Sequence, residues 1–187
     1  MPFYIYAWIG AFVSGLFVIT TKLTSKYSIA NPWLFNFVLT LVTLLFMLPP
    51  ALLNHAGMPS NWWLIIWTAI FSTLFTIFWL LAAYALDVSV LAPLFNFRGI
   101  FVVMLGAVFL NEKFASSQLI FIAAILIAGI FSTLDEKFTL KSFFNKSVAL
   151  ALLAAFFLAI YNALLKPTIA SNGLWTTNLW VSIVNCL

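Results

Sequence analysis

The sequence predicts an all-α protein of the polytopic transmembrane class, a helical bundle made of one five-helix repeat and the start of a second repeat. Hydrophobic residues make up 65% of the 187-residue chain and charged residues only 6%. A globular fold in water could not bury so much apolar surface. No Asp, Glu, Lys or Arg occurs at 1–21 or at 27–86. Because about 20 apolar residues cross a hydrocarbon core roughly 30 Å thick, these runs hold several membrane spans.

The chain divides into apolar segments separated by short polar breaks. These segments lie at about 4–23, 31–53, 62–86, 89–110, 118–134, 148–165 and 174–187. The first ends at Lys22 and Lys26, whose long side chains can reach the interface. The second begins at Asn31 and approaches its end at Pro49-Pro50, which remove backbone donors. The third opens with Trp62-Trp63, an aromatic pair typical of a membrane interface.

The later segments have more polar features. The fourth contains Pro93 and Arg98, and the fifth is followed by the charged residues 135–137. Residues 138–146 are too short and too charged to span, so we expect an interfacial linker whose phenylalanines face the lipid. The sixth segment ends before Lys166. The last has only about 14 residues, fewer than the ~20 that a crossing needs, so we expect the chain to stop inside a seventh helix.

An internal repeat links the beginning of the chain with its end. The chain begins with an apolar helix, a terminal Lys22, a polar turn and then a helix that opens near Trp33. The same order of features occurs again near its end. There the lysine is Lys166 and the tryptophan is Trp175. Repeats of this kind are the usual sequence trace of transporter architecture.

The fourth and fifth segments and the residues beside them contain three characteristic stretches, ALDVSVLAP at 85–93, FLNEK at 109–113 and LIAGI at 126–130. These stretches resemble the end of an EamA repeat in the drug/metabolite transporter superfamily. By this resemblance, 1–137 is one complete repeat and 147–187 opens a second. The resemblance implies five-helix units, commonly paired with inverted topology, that move small organic metabolites across a bacterial or archaeal inner membrane by alternating access. The solutes that it implies are amino-acid-like or other small molecules. It also implies a truncated ten-helix transporter, with a genuinely shorter protein as the alternative.

Arg98 is the main candidate for a functional residue inside a span. An arginine at the centre of an apolar helix costs about 2.5–3.5 kcal/mol on insertion scales, so it needs a wet cavity or a partner. Asp87 and Glu112 lie about 16 and 21 Å away along the helix axis. One hypothesis places Arg98 beside Asn96 in a cavity, where it contacts an anionic group of the substrate. The alternative is a structural arginine bonded to carbonyls that the Pro93 kink exposes.

Other polar and aromatic side chains within the spans complete the candidate substrate site. The candidates are Arg98, Asn96, Asn36, Trp79, Tyr84 and Asn162. Amides are favoured because an asparagine side chain needs a partner across a helix interface or in a cavity. Two roles are open to Thr40, Thr43, Thr73 and Thr76, which are to line the substrate path or to bond to their own helices, and the second is favoured for hydroxyls. The alanines at 151, 155, 159 and 163 form a small-residue row that predicts close helix contact.

The sequence offers little for other classes of function. One His and one Cys cannot build the usual zinc site, no motif of a hydrolase or phosphate-binding loop occurs, and no cofactor is expected. The expected partners are the lipid bilayer, a small-molecule substrate, and either a second copy of the chain or a missing C-terminal half, and no nucleic acid. A non-transporting scaffold remains the alternative function, and it predicts a solid bundle without a cavity.

Membrane orientation is left open by two conflicting indications. Lysines concentrate on the side opposite the N-terminus, at 22, 26, 137, 141 and 146. By the positive-inside rule this distribution puts the N-terminus outside, whereas the family resemblance implies a cytoplasmic N-terminus. Cysteine accessibility at Ser25 and Ser142 distinguishes the two.

Overall fold

The computed structural model describes residues 3–109, 115–133 and 145–187, and these parts of the chain are helical throughout apart from short connections. The predicted interfacial linker falls outside them except for its last two residues. The helices are α1 (Phe3–Tyr27), α2 (Pro32–Leu53), α3 (Trp62–Ala85), α4 (Val88–Leu94), α5 (Arg98–Phe109), α6 (Ser116–Thr133), α7 (Lys146–Asn172) and α8 (Leu174–Cys186). A 3₁₀ turn at Phe95–Phe97 joins α4 to α5.

Five helical stretches in the described part of the chain are long and apolar enough to cross a membrane. They are Tyr4–Tyr27, Pro32–Leu53, Trp62–Ala85, Val88–Ala107 and Lys146–Asn172. The fourth stretch joins α4, the 3₁₀ turn and α5 into one interrupted span. Because no β-strand occurs in the described ranges, the predicted all-α polytopic class is confirmed.

Asparagine side chains begin three of the helices. The Oδ1 atom of Asn31 accepts a hydrogen bond from the Trp33 N–H at 2.9 Å, and Asn61 accepts from the Leu64 N–H at 3.2 Å. Asn145 does the same for Ser147 at the start of α7. An asparagine at this position satisfies an N–H that the first helical turn leaves without a partner. Asn31, where the second apolar segment begins in the sequence, is therefore the N-cap of α2.

The helix α7 continues past the predicted end of the sixth segment. It runs through Lys166 and Pro167 and ends at Asn172. Pro167 lies inside the helix and lacks an N–H donor, and in the next residue the Thr168 hydroxyl donates to the Leu164 carbonyl at 2.6 Å. Gly173, at φ +81°, separates α7 from α8. This backbone angle is one that glycine adopts without steric cost.

The most extensive contact between helices joins α3 to α7. Ala151, Ala155 and Ala159 of the small-residue row are fully or almost fully buried, as close helix packing in lipid requires. The buried Thr68 and Thr168 hydroxyls meet across this contact at 2.8 Å. Since Thr168 gives its only proton to its own helix, Thr68 is the donor in this pair. Helix α7 is therefore packed directly onto α3.

Two further contacts attach α8 and α1 to this pair. The Trp180 indole donates to the Gly57 carbonyl at 2.9 Å, so α8 is held to the α2–α3 connection. The Lys22 ammonium donates to the carbonyls of Ala83 and Leu86, at 3.0 and 2.7 Å. These carbonyls form the C-terminal end of α3, where a positive charge is favourable. Most of the α1 surface remains exposed, so α1 is the most loosely held of the spans near the site.

Candidate functional site

A cavity of about 450 Å³ lies between α2, α3 and α8, with single residues added by α1 and α7. We call it the central chamber. Its polar lining residues are Thr40, Thr43, Ser72, Thr76, Tyr161, Asn178, Ser182 and Asn185. Its apolar lining residues are Phe17, Leu39, Met47, Phe75, Trp79 and Val181. The volume and the mixture of aromatic and converging polar groups are typical of a site for a small organic molecule.

Helix periodicity explains why these side chains share one cavity. Thr40 and Thr43 lie three residues apart on α2, and Ser72 and Thr76 lie four apart on α3. Residues with these spacings occupy the same helix face. The polar face of each helix turns toward the chamber, while neighbouring residues such as Phe46 remain exposed on the outside.

The amide of Asn185 ties α8 to α3 at the chamber wall. It lies 2.9 Å from both Ser72 Oγ and Thr73 Oγ1. Thr73 donates its only hydroxyl proton to the Ala69 carbonyl, so the amide must donate to Thr73. The orientation that satisfies both amide atoms has Nδ2 donating to Thr73 Oγ1 and Oδ1 accepting from Ser72. This network fixes the side of the chamber that α8 supplies.

A second cavity, of about 640 Å³, lies on the other side of an aromatic wall. We call it the side cavity. Phe17, Phe75 and Trp79 line both cavities. The rings of Phe17 and Trp79 stack with centroids 5.1 Å apart. The remaining lining residues of the side cavity are Ala11, Val13, Ser14, Gly15, Val18, Leu91, Phe95, Asn96, Arg98 and Leu158. It is therefore mainly apolar, with one cationic group.

Three of the six candidate site residues that we predicted from the sequence line one or both of these cavities, and three do not. Trp79 lines both cavities, whereas Arg98 and Asn96 line only the side cavity. Asn96 lies in the 3₁₀ turn that follows α4, the short helix that contains Pro93, and Arg98 begins α5; both residues are exposed. The interruption of the fourth span thus lies where Arg98 and Asn96 line the side cavity, near the middle of that span.

The other three candidates lie away from both cavities. The Tyr84 hydroxyl donates to the Ile29 carbonyl at 2.6 Å and so fastens α3 to the α1–α2 connection. Asn36 lies at a small crevice between α2 and α3, and its buried Oδ1 has no hydrogen-bond partner among the described residues. Asn162 is exposed on α7.

Sequence reasoning did not select the α8 residues that line the chamber. Asn178, Ser182 and Asn185 lie at positions i, i+4 and i+7, which form one face of a helix. That spacing is visible in the sequence. Because the segment is shorter than a membrane crossing, this spacing alone does not show that the face lines a cavity within the membrane.

Substitution of Arg98 tests the alternative hypothesis that this arginine is a structural residue. Within the described ranges its guanidinium makes no hydrogen bond or ion pair, so we expect Arg98→Met to leave the thermal midpoint unchanged or raised. The matched control is Lys22→Met, which removes two hydrogen bonds from the end of α3 and should lower the midpoint by several degrees. A fall for Arg98→Met as large as that for Lys22→Met would contradict this prediction.

A comparison with known protein families finds a match for this chain. The model of the EamA-like transporter family matches residues 1–134. No curated protein and no solved structure matches the chain. The matched region contains α1 to α6, and the helices α7 and α8 follow it.

Proposed function

The chain belongs to the EamA-like transporter family of integral membrane transporters, and from this premise we propose that it moves small organic solutes by alternating access. The solute binds in the central chamber. We further propose that the protein acts in the inner membrane of a bacterium or archaeon, as the family resemblance implies. The observation that supports the binding step is the chamber itself, because its polar groups converge on a volume suited to a small molecule.

We also propose that α7 and α8 open a second repeat unit, so that the chamber lies between two units, and this arrangement supports alternating access. The chamber walls come from α1, α2 and α3 on one side and from α7 and α8 on the other. Substrate sites at the interface of two repeats are typical of secondary transporters, in which one unit rocks against the other. Such a motion would change access to the chamber from one side of the membrane to the other.

A non-transporting scaffold is less well supported than a transporter. A scaffold needs a bundle packed without internal space, because cavities reduce the dispersion contacts that hold helices together. This chain instead has two adjoining cavities, and the second is lined by Arg98 and Asn96. An arginine inside a span is costly unless it faces a wet cavity or a partner, and an arginine that faces such a cavity is typical of a functional site.

A solute screen in proteoliposomes tests the proposal. The purified full chain is reconstituted, and uptake of a mixture of labelled small metabolites is compared with that of protein-free vesicles. We expect at least one organic solute to enter faster with the protein present, with a saturable rate. If no solute in a broad screen shows protein-dependent, saturable uptake in either direction, the transporter proposal fails. A folded state in the vesicles is checked by the thermal midpoint before and after reconstitution.

A further inference from the structure

The residues that line the central chamber indicate which class of solute it binds. This inference rests on the proposed function. Among the described residues that line the central chamber, none is Asp, Glu, Lys, Arg or His. A charged solute entering it would lose hydration without meeting an opposite charge. Arg98, in the cavity beyond the aromatic wall, adds a positive charge that further disfavours cations. The chamber therefore suits solutes without net charge.

The α2 and α3 wall presents hydrogen-bond acceptors to the chamber. Thr40 Oγ1 donates to the Asn36 and Phe37 carbonyls at 3.0 Å. Thr43 and Thr76 donate to carbonyls of their own helices at 2.8 and 2.9 Å. A hydroxyl has one proton and two acceptor lone pairs. Because each proton is already used, these three residues offer a solute only their lone pairs, and the solute must supply the donor.

The α7 and α8 wall has the complementary property. The side chains of Tyr161, Asn178 and Ser182 make no hydrogen bond to another described residue. A tyrosine or serine hydroxyl can donate or accept, and an asparagine amide does both. This wall can therefore donate to an acceptor on the solute. Asn185 differs, since its amide is held by Ser72 and Thr73.

We infer that the central chamber selects uncharged organic solutes that carry an N–H or O–H donor, an acceptor, and a flat apolar part. The donor faces Thr40, Thr43 and Thr76, and the acceptor faces the wall of α7 and α8. The flat part packs against the stacked rings of Phe17 and Trp79, where aromatic contacts add to the burial of apolar area. Neutral amides and alcohols with an aromatic ring are members of this class.

Equilibrium binding of four related compounds to the purified full chain in nanodiscs tests the inference. The compounds are 3-phenylpropanamide, 3-phenylpropanoate, 3-phenylpropylammonium and methyl 3-phenylpropanoate, which share one ring and differ in charge or in the N–H donor. We expect the amide to bind at least about tenfold more tightly than either ion. We expect it to bind roughly fivefold more tightly than the ester, which keeps the carbonyl and lacks the donor.

A pair of variants assigns the donor preference to the chamber wall. Thr76→Val keeps the side-chain shape and removes the lone pairs, so it should weaken binding of the amide roughly fivefold and leave the ester unchanged. The control Thr20→Val makes the same chemical change at an exposed position of α1 outside both cavities and should leave both affinities unchanged.

The outcomes separate this inference from the proposed function. Equal or tighter binding of either ion overturns the inference, and the transporter proposal stands because a solute still binds. Tight binding of the carboxylate that is lost in Arg98→Ala would instead support an anionic substrate at Arg98. Failure of all four compounds to bind protein that shows saturable uptake in the vesicle screen overturns the inference alone. Failure of that uptake screen overturns the proposed function.

Discussion

Ala151→Leu is expected to lower the free energy of unfolding by about 1–3 kcal/mol, because it adds volume where α7 packs against its neighbours without spare space. Ala151 is fully buried and belongs to a core cluster with Ala82 and Ala83 of α3 and Leu91 of α4. The contact depends on small side chains, since these let helix backbones approach closely in lipid. Leucine can be accommodated there only if α7 moves away from α3.

The effect can be measured by unfolding the purified protein in mixed micelles of increasing SDS content. Ala149→Leu is the matched control, since Ala149 lies on the same helix and is exposed. In lipid or detergent its extra methyl groups meet an apolar environment and should change the stability by less than about 0.5 kcal/mol. If the two variants are equally stable, α7 does not pack closely against α3 through the face that contains Ala151.

The membrane spans could be predicted from the sequence because the bilayer acts on each helix separately. Absence of charge over about 20 residues identifies a span whatever the neighbouring helices are. Caps are equally local, as Asn31 shows by bonding within its own first turn. The end of α7 was harder to predict. The helix continues past Pro167, where the contacts of Thr168 with Thr68 and Thr177 hold the last turns against α3 and α8.

The site was only partly predictable, because a cavity depends on which helix faces oppose each other. The back-bonding of the Thr40 and Thr43 hydroxyls follows from local geometry and is confirmed. Local geometry does not show that these threonines face α8, since that depends on how α2 packs. Tyr84 illustrates the same limit. Its hydroxyl meets the Ile29 carbonyl through the fold of the α1–α2 connection, which no spacing in the sequence reveals.

Ser182→Trp is expected to reduce solute uptake by more than about tenfold while leaving the protein folded. Ser182 lines the central chamber from α8, one turn from Asn178 and Asn185. An indole ring at this position occupies the space between the α8 wall and the threonines of α2, so solute and side chain compete for one volume. Since the ring extends into an existing cavity of about 450 Å³, it has space without displacing a helix.

Uptake in proteoliposomes measures this effect, and the thermal midpoint of each variant shows whether the helices remain assembled. The matched control is Ser89→Trp, which makes the same change at an exposed position of α4 outside the lining of both cavities. We expect normal uptake for Ser89→Trp and a normal midpoint for both variants. Normal uptake by well-folded Ser182→Trp protein would show that the solute does not pass through the central chamber. The side cavity beside Arg98, which shares Phe17, Phe75 and Trp79 with the chamber lining, would then be the next candidate route.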